Sequence, residues 1–105
     1  MVEEHIAWFT PFETQSGMVG FAGTIRGRRR TYQVVVKVLA SHYPATEPKT
    51  YIDPKPEEHH WIRNGGEPYL CYQRDGNKPW NPAKSSFANC ILIAVNYINA
   101  FDSRA

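Results

Sequence analysis

The chain has 105 residues, of which 42% are hydrophobic and 13% aromatic, and this composition is typical of one globular domain. Two cysteines are too few for a disulfide-built secreted scaffold, and a net charge of +2 does not by itself indicate a polyanionic partner. No apolar run approaches the roughly 18 residues of a membrane span, and no secretory signal pattern opens the chain, so we expect a cytoplasmic protein without a membrane partner.

Two segments in the first half of the chain alternate with the period of a β-strand, namely residues 19–26 and 31–39. One face carries Val19, Phe21, Gly23 and Ile25 in the first segment and Tyr32, Val34, Val36 and Val38 in the second. Gly27 to Arg30 predicts a hairpin loop between them. Residues 1–17 are only weakly patterned, and no element is predicted there.

A connector with two prolines, Pro44 and Pro48, follows the second strand. Proline fixes φ and removes a backbone donor, so this segment is not a strand. Lys49 to Asp53 predicts a short third strand, and residues 54–82 predict mostly loop. A loop of this length in a small domain is unusual unless it has a function.

The last segment has helical periodicity from about Ser85 to Phe101, and Ser85 or Ser86 can cap its start. Its apolar stripe consists of Phe87, Cys90, Ile91, Ala94, Ile98 and Phe101. The order of elements therefore predicts one α+β domain over residues 1–105, with an antiparallel β-meander, a long loop and a packing C-terminal helix.

Cys71 lies in the loop-rich stretch, directly after Tyr69 and Leu70 and nine positions before Trp80. A cysteine on a loop is a candidate nucleophile if its thiolate is accessible near neutral pH. The alternative is a buried structural cysteine. For Cys90, in the helical stripe, we expect a packing role, and a Cys71–Cys90 disulfide is disfavoured in a reducing compartment.

Four motifs occur in a recognisable order, and they extend over most of the chain. They are Tyr43-Pro44 with Pro48, His59-His60, Tyr69-Leu70-Cys71 and Trp80-Asn81-Pro82-Ala83. Together they resemble the core of a ubiquitin-conjugating enzyme, the E2 or UBC fold. The resemblance implies a UBC-like fold in which an active-site loop presents the catalytic cysteine.

The chain also departs from this family pattern. The His-Pro-Asn tripeptide of the family is absent, and residues 59–64 stand in its place. The usual first helix does not fit into residues 1–17, and the chain ends after one helix. It therefore resembles the minimal bacterial E2-like proteins that accompany cyclic-oligonucleotide antiviral systems and ubiquitin-like conjugation operons.

The resemblance implies catalytic roles for Cys71, Asn64 and His60. Cys71 would carry an acyl group as a thioester, and Asn64 would donate to the oxyanion. The alternative for Asn64 is a tight turn with the glycines that follow it. His60, or its neighbour His59, would organise the loop or accept a proton from the incoming amine.

The activity implied is transfer of a ubiquitin-like or other protein C-terminus from an E1-like activating enzyme to Cys71 and then to an amine. No cofactor is implied, because the activating enzyme uses the ATP. The alternative is a non-catalytic UBC/RWD-like adaptor that binds a partner protein. The family's inactive members usually lack the cysteine, which favours the transferase.

Two further kinds of site, a metal site and a basic docking site, have less support in the sequence. His42, His59, His60 and Cys71 have no spacing typical of zinc ligands, so no metal site is expected. Arg28, Arg29 and Arg30 form a basic hairpin tip. It is either a solvated loop or a docking site for an acidic protein or a nucleic acid, although so few arginines do not indicate a nucleic-acid reader.

Overall fold

The chain forms an antiparallel sheet packed against a C-terminal helix, in a computed structural model that describes residues 9–27, 30–53, 61–62, 69–70 and 80–102. The sheet has four strands in sequence order: β1 (Phe9–Glu13), β2 (Met18–Arg26), β3 (Thr31–Leu39) and β4 (Lys49–Asp53). The helix, α1, spans Phe87–Asp102. The predicted α+β class and the β-meander are therefore confirmed.

Strand β1 was not predicted, since it lies in the weakly patterned residues 1–17. It contains Pro11, which is compatible with a strand here because β1 is at the edge of the sheet. Phe9 is buried and packs into the core, so the strand is anchored at its first residue. The meander thus begins one strand earlier than the sequence indicated.

Strands β2 and β3 are paired up to the hairpin that joins them. Arg26 pairs with Thr31, and the Gly27 amide donates to the Arg30 carbonyl at 2.9 Å. The predicted bounds of β3 and β4 agree with the structure, because alternating β-branched residues of this kind suit a half-buried sheet.

The connector from β3 to β4 begins with a turn of 3₁₀-helix over Ala40–His42 and contains a cis peptide bond between Tyr43 and Pro44. Beyond β4, the predicted loop contains two short paired strands, β5 (Trp61–Ile62) and β6 (Tyr69–Leu70). Two-residue strands are too short to produce an alternating pattern.

The core lies between α1 and one face of the sheet. The buried hydrophobic residues are Phe9, Ile25, Tyr32, Val34, Val36, Val38, Ile52, Leu70, Cys90, Ile91, Ala94, Val95, Tyr97 and Ile98. The predicted helical stripe is confirmed at Cys90, Ile91, Ala94 and Ile98, while the side chain of Phe101 lies outside the described structure. Among the described residues, no helix is both long and apolar enough to cross a membrane.

Candidate active site

Two of the motifs that were separate in the sequence meet in the structure. The indole Nε1 of Trp80 donates a hydrogen bond of 2.7 Å to the main-chain carbonyl of Pro44, 36 residues earlier. The ring of Tyr43 lies beside the same indole, with the ring centroids 6.2 Å apart. The turn that begins at Trp80 is therefore tied to the connector that leads into β4.

An aromatic cluster extends this junction to the helix and the sheet. Tyr43 stacks on Phe87, with centroids 4.7 Å apart and an interplanar angle of 20°. Phe87 in turn packs edge-on against Phe21 of β2 at 5.4 Å. The first residue of α1 is thus held between the connector and the sheet, in geometries that aromatic pairs prefer.

The turn from Asn81 to Ser85 is braced by its own polar groups. The Asn81 side-chain carbonyl accepts from the Ala83 amide at 2.9 Å, as in an Asx-turn. The Asn81 main-chain carbonyl accepts from the amides of Lys84 and Ser85, and the Ser85 hydroxyl accepts from the Asn81 amide. Asn81 is therefore the residue that fixes the shape of this corner.

Ser86, one of the two predicted caps, lies directly before α1, but its hydroxyl donates to a side chain where the prediction had it accept from a first-turn amide. Its amide donates to the Asn89 side-chain carbonyl at 2.7 Å, and its hydroxyl donates to the same oxygen at 3.3 Å. Asn89 thus reaches back to the cap from the third helical position, as glutamate does in a capping box. The helix begins two residues later than the sequence indicated for this reason.

The residue that precedes Cys71 in the sequence is firmly placed. Leu70 is the last residue of β6 and is buried in the core, and its strand pairs with Trp61–Ile62. Tyr69 lies half-buried against Tyr51 of β4. The approach to the candidate nucleophile is therefore anchored as far as Leu70.

The catalytic residues predicted from the resemblance, Cys71, Asn64 and His60, lie outside the described residues, as does His59. Of the predicted partner-binding arginines, Arg28 and Arg29 also lie outside, while Arg30 is exposed at the end of the hairpin. The structure thus brings together the Tyr-Pro and Trp-x-Pro-Ala motifs and places Leu70 in the core.

Cys90 is a free thiol that is buried in the core with 1% of its surface exposed. Burial, together with the negative charge of Glu47, raises the pKa of its thiol to about 12. The thiol is consequently neutral at physiological pH. This agrees with the packing role predicted for it.

Glu47 is a residue near the site that the sequence analysis did not select. It lies half-buried in the connector, and burial raises the pKa of its carboxyl. Its one available signal in the sequence was the neighbouring Pro48, which is itself buried in the structure.

Within the described part of the chain, no three histidine, cysteine or acidic side chains are grouped so that they could hold a metal ion.

The comparisons with known proteins leave the family open: no family model matches the chain, and no curated protein or solved structure is similar enough to count as a match.

Proposed function

We propose that the protein is an E2-like transferase that carries a protein C-terminus as a thioester on Cys71. The hydrogen bond from Trp80 to the Pro44 carbonyl is the observation that carries this proposal. It joins the two motifs that flank Cys71 in the sequence, and these are two of the four motifs on which the family resemblance rests. The order of meander, short strands and C-terminal helix supports the same assignment.

Each step of the proposed reaction is an exchange at one acyl carbon. The Cys71 thiolate attacks the thioester carbonyl on the E1-like enzyme, a new C–S bond forms, and the thiolate of the activating enzyme leaves. An acceptor amine then attacks the Cys71 thioester, an amide bond forms, and the Cys71 thiolate leaves. The amine loses its proton to a base, a role we assign to His60.

Both steps pass through a tetrahedral oxyanion, and we assign its stabilisation to the Asn64 side-chain amide. Removal of one such donor lowers the rate by about two orders of magnitude in well-studied cases.

Charging with the acyl group is the direct test. The protein is mixed with ATP, an E1-like protein and its carried protein, and the intact mass is measured. We expect an adduct that dithiothreitol removes from the wild type and that does not form on Cys71→Ala. In Cys71→Ser an oxygen ester replaces the thioester, so any adduct should resist dithiothreitol.

Cys90→Ala is the matched control for Cys71→Ala. Because the Cys90 thiol is buried and neutral, this variant should charge like the wild type once it is shown to be folded. Absence of any adduct with the cognate partners, or an adduct retained on Cys71→Ala, would contradict the proposal.

Thiol reactivity tests whether Cys71 is the accessible nucleophile that the transferase needs. Burial, together with the charge of Glu47, raises the pKa of the Cys90 thiol to about 12, so little of it is thiolate at pH 7. Iodoacetamide should therefore modify Cys71 much faster than Cys90 in the folded protein. Equal, slow labelling of both thiols would favour the adaptor.

A further inference from the structure

The outer face of the sheet, opposite α1, carries two lysines side by side. Lys37 of β3 and Lys49 of β4 are direct partners in the antiparallel register. Like charges that face each other across two strands destabilise a sheet. Within the sheet this pairing is unfavourable, so each lysine needs a compensating contact.

Two tyrosines hold these ammonium groups in place. The Lys37 Nζ lies 5.0 Å from the ring centroid of Tyr51, and the Lys49 Nζ lies 4.8 Å from that of Tyr69. The two rings contact each other edge to face, with their centroids 6.2 Å apart. We call these four residues the cationic face. Its charges are positioned before any partner arrives, which lowers the entropic cost of binding.

An apolar surface adjoins the cationic face. Ala22 and Val35 are half-buried and pair with each other across β2 and β3, and Val35 also pairs with Tyr51. In the neighbouring row, Gly20 is the β2 partner of Lys37, so the residue opposite Lys37 on β2 has no side chain. Within the described residues, no carboxylate forms an ion pair with either lysine.

We propose that the cationic face docks an acidic protein segment, whose carboxylates bind Lys37 and Lys49 while an apolar side chain packs on Ala22 and Val35. A single-stranded nucleic acid fits less well, because it needs open aromatic faces for base stacking, and each tyrosine ring here is covered by an ammonium group. This docking surface does not depend on the transferase function.

The test is a titration of the ¹⁵N-labelled protein with a short peptide whose glutamates flank a leucine. We expect chemical-shift changes concentrated in β3 and β4 around Lys37 and Lys49, and binding that weakens as salt is added. The double variant K37Q/K49Q should bind about tenfold more weakly, since each exposed ion pair contributes a several-fold factor.

The matched control is R26Q/K84Q, which removes the same amount of charge at two exposed positions outside the cationic face and should bind like the wild type. Thermal unfolding verifies that both variants are folded. The proposal is overturned if K37Q/K49Q binds like the wild type, if the control loses binding equally, if a peptide with glutamine for glutamate binds as well, or if single-stranded DNA binds more tightly.

Discussion

The ionised carboxylate of Glu47 destabilises the folded protein. Its carboxylate is half-buried, and burial raises the pKa of the carboxyl because the charged form loses hydration. The folded protein therefore holds this proton more tightly than the unfolded chain does. The resulting stabilisation is fully present below the unfolded pKa, near 4.5, and is lost as pH rises through the higher folded pKa.

Glu47→Gln should consequently raise the melting temperature at pH 7 and leave it nearly unchanged at pH 3, where the wild-type carboxyl is already protonated. Calorimetry at both pH values measures this difference. Glu13→Gln is the control, because it removes the same charge from an exposed position at the end of β1. A Glu47→Gln protein that melts at or below the wild-type temperature at pH 7 would contradict the role assigned to burial.

Among the elements, strand β3 lies with its backbone directly against β2 at Gly20. A methyl group at this position would overlap the Val36 carbonyl oxygen and lie 2.9 Å from the Lys37 Cα, so the backbone itself would have to move. Gly17, in the preceding turn, has a φ of 91° but open space around it. The two glycines are therefore required for different reasons. A side chain at position 20 would clash with the backbone of β3, whereas the positive φ at position 17 disfavours any residue with a side chain.

Gly20→Ala should lower the free energy of unfolding by at least about 1–3 kcal/mol, which is the usual cost of forcing extra atoms into a packed region. Gly17→Ala should cost only about 1 kcal/mol, the usual cost of a positive φ for a residue with a side chain. Urea unfolding of both variants measures the difference. Equal costs would show that β2 shifts easily and that the close approach at Gly20 is not a constraint.

The sequence predicted those elements whose pattern is local. Strand β3 repeats buried residues at every second position and α1 at every third or fourth, so periodicity was sufficient for both. Strand β1 was missed because its proline and single buried residue resemble a loop. The junction of Trp80 with Pro44 could not be predicted from local pattern, because 36 residues separate the two groups and tertiary packing brings them together.

At the scale of the whole molecule, α1 closes the core over the sheet, and Ala94 lies at the centre of that contact with none of its surface exposed. The sheet face that it covers is apolar from Ile25 of β2 to Ile52 of β4, apart from the buried Thr50. The sheet and α1 therefore share one core, and we expect them to unfold together.

Ala94→Asp should destabilise the whole protein strongly, because an unpaired buried charge costs about 3–5 kcal/mol, a large part of the about 5–15 kcal/mol by which small domains are stable. Asn96→Asp adds the same group at an exposed position of the same helix and should change stability little. Circular dichroism during thermal unfolding should show that Ala94→Asp loses its helix and strand signals together, at a lower temperature than the wild type. Loss of the helix signal alone would show that the sheet folds independently.

The hydrogen bond from Trp80 to Pro44 also constrains how sequences of this fold can vary. Its acceptor is a main-chain oxygen, which every amino acid supplies at position 44, whereas its donor is an indole nitrogen that tryptophan alone provides. Selection for this hydrogen bond would therefore act on the residue at position 80 and not on the residue at position 44. Relatives that keep the junction should retain tryptophan at position 80 without a co-varying partner at position 44.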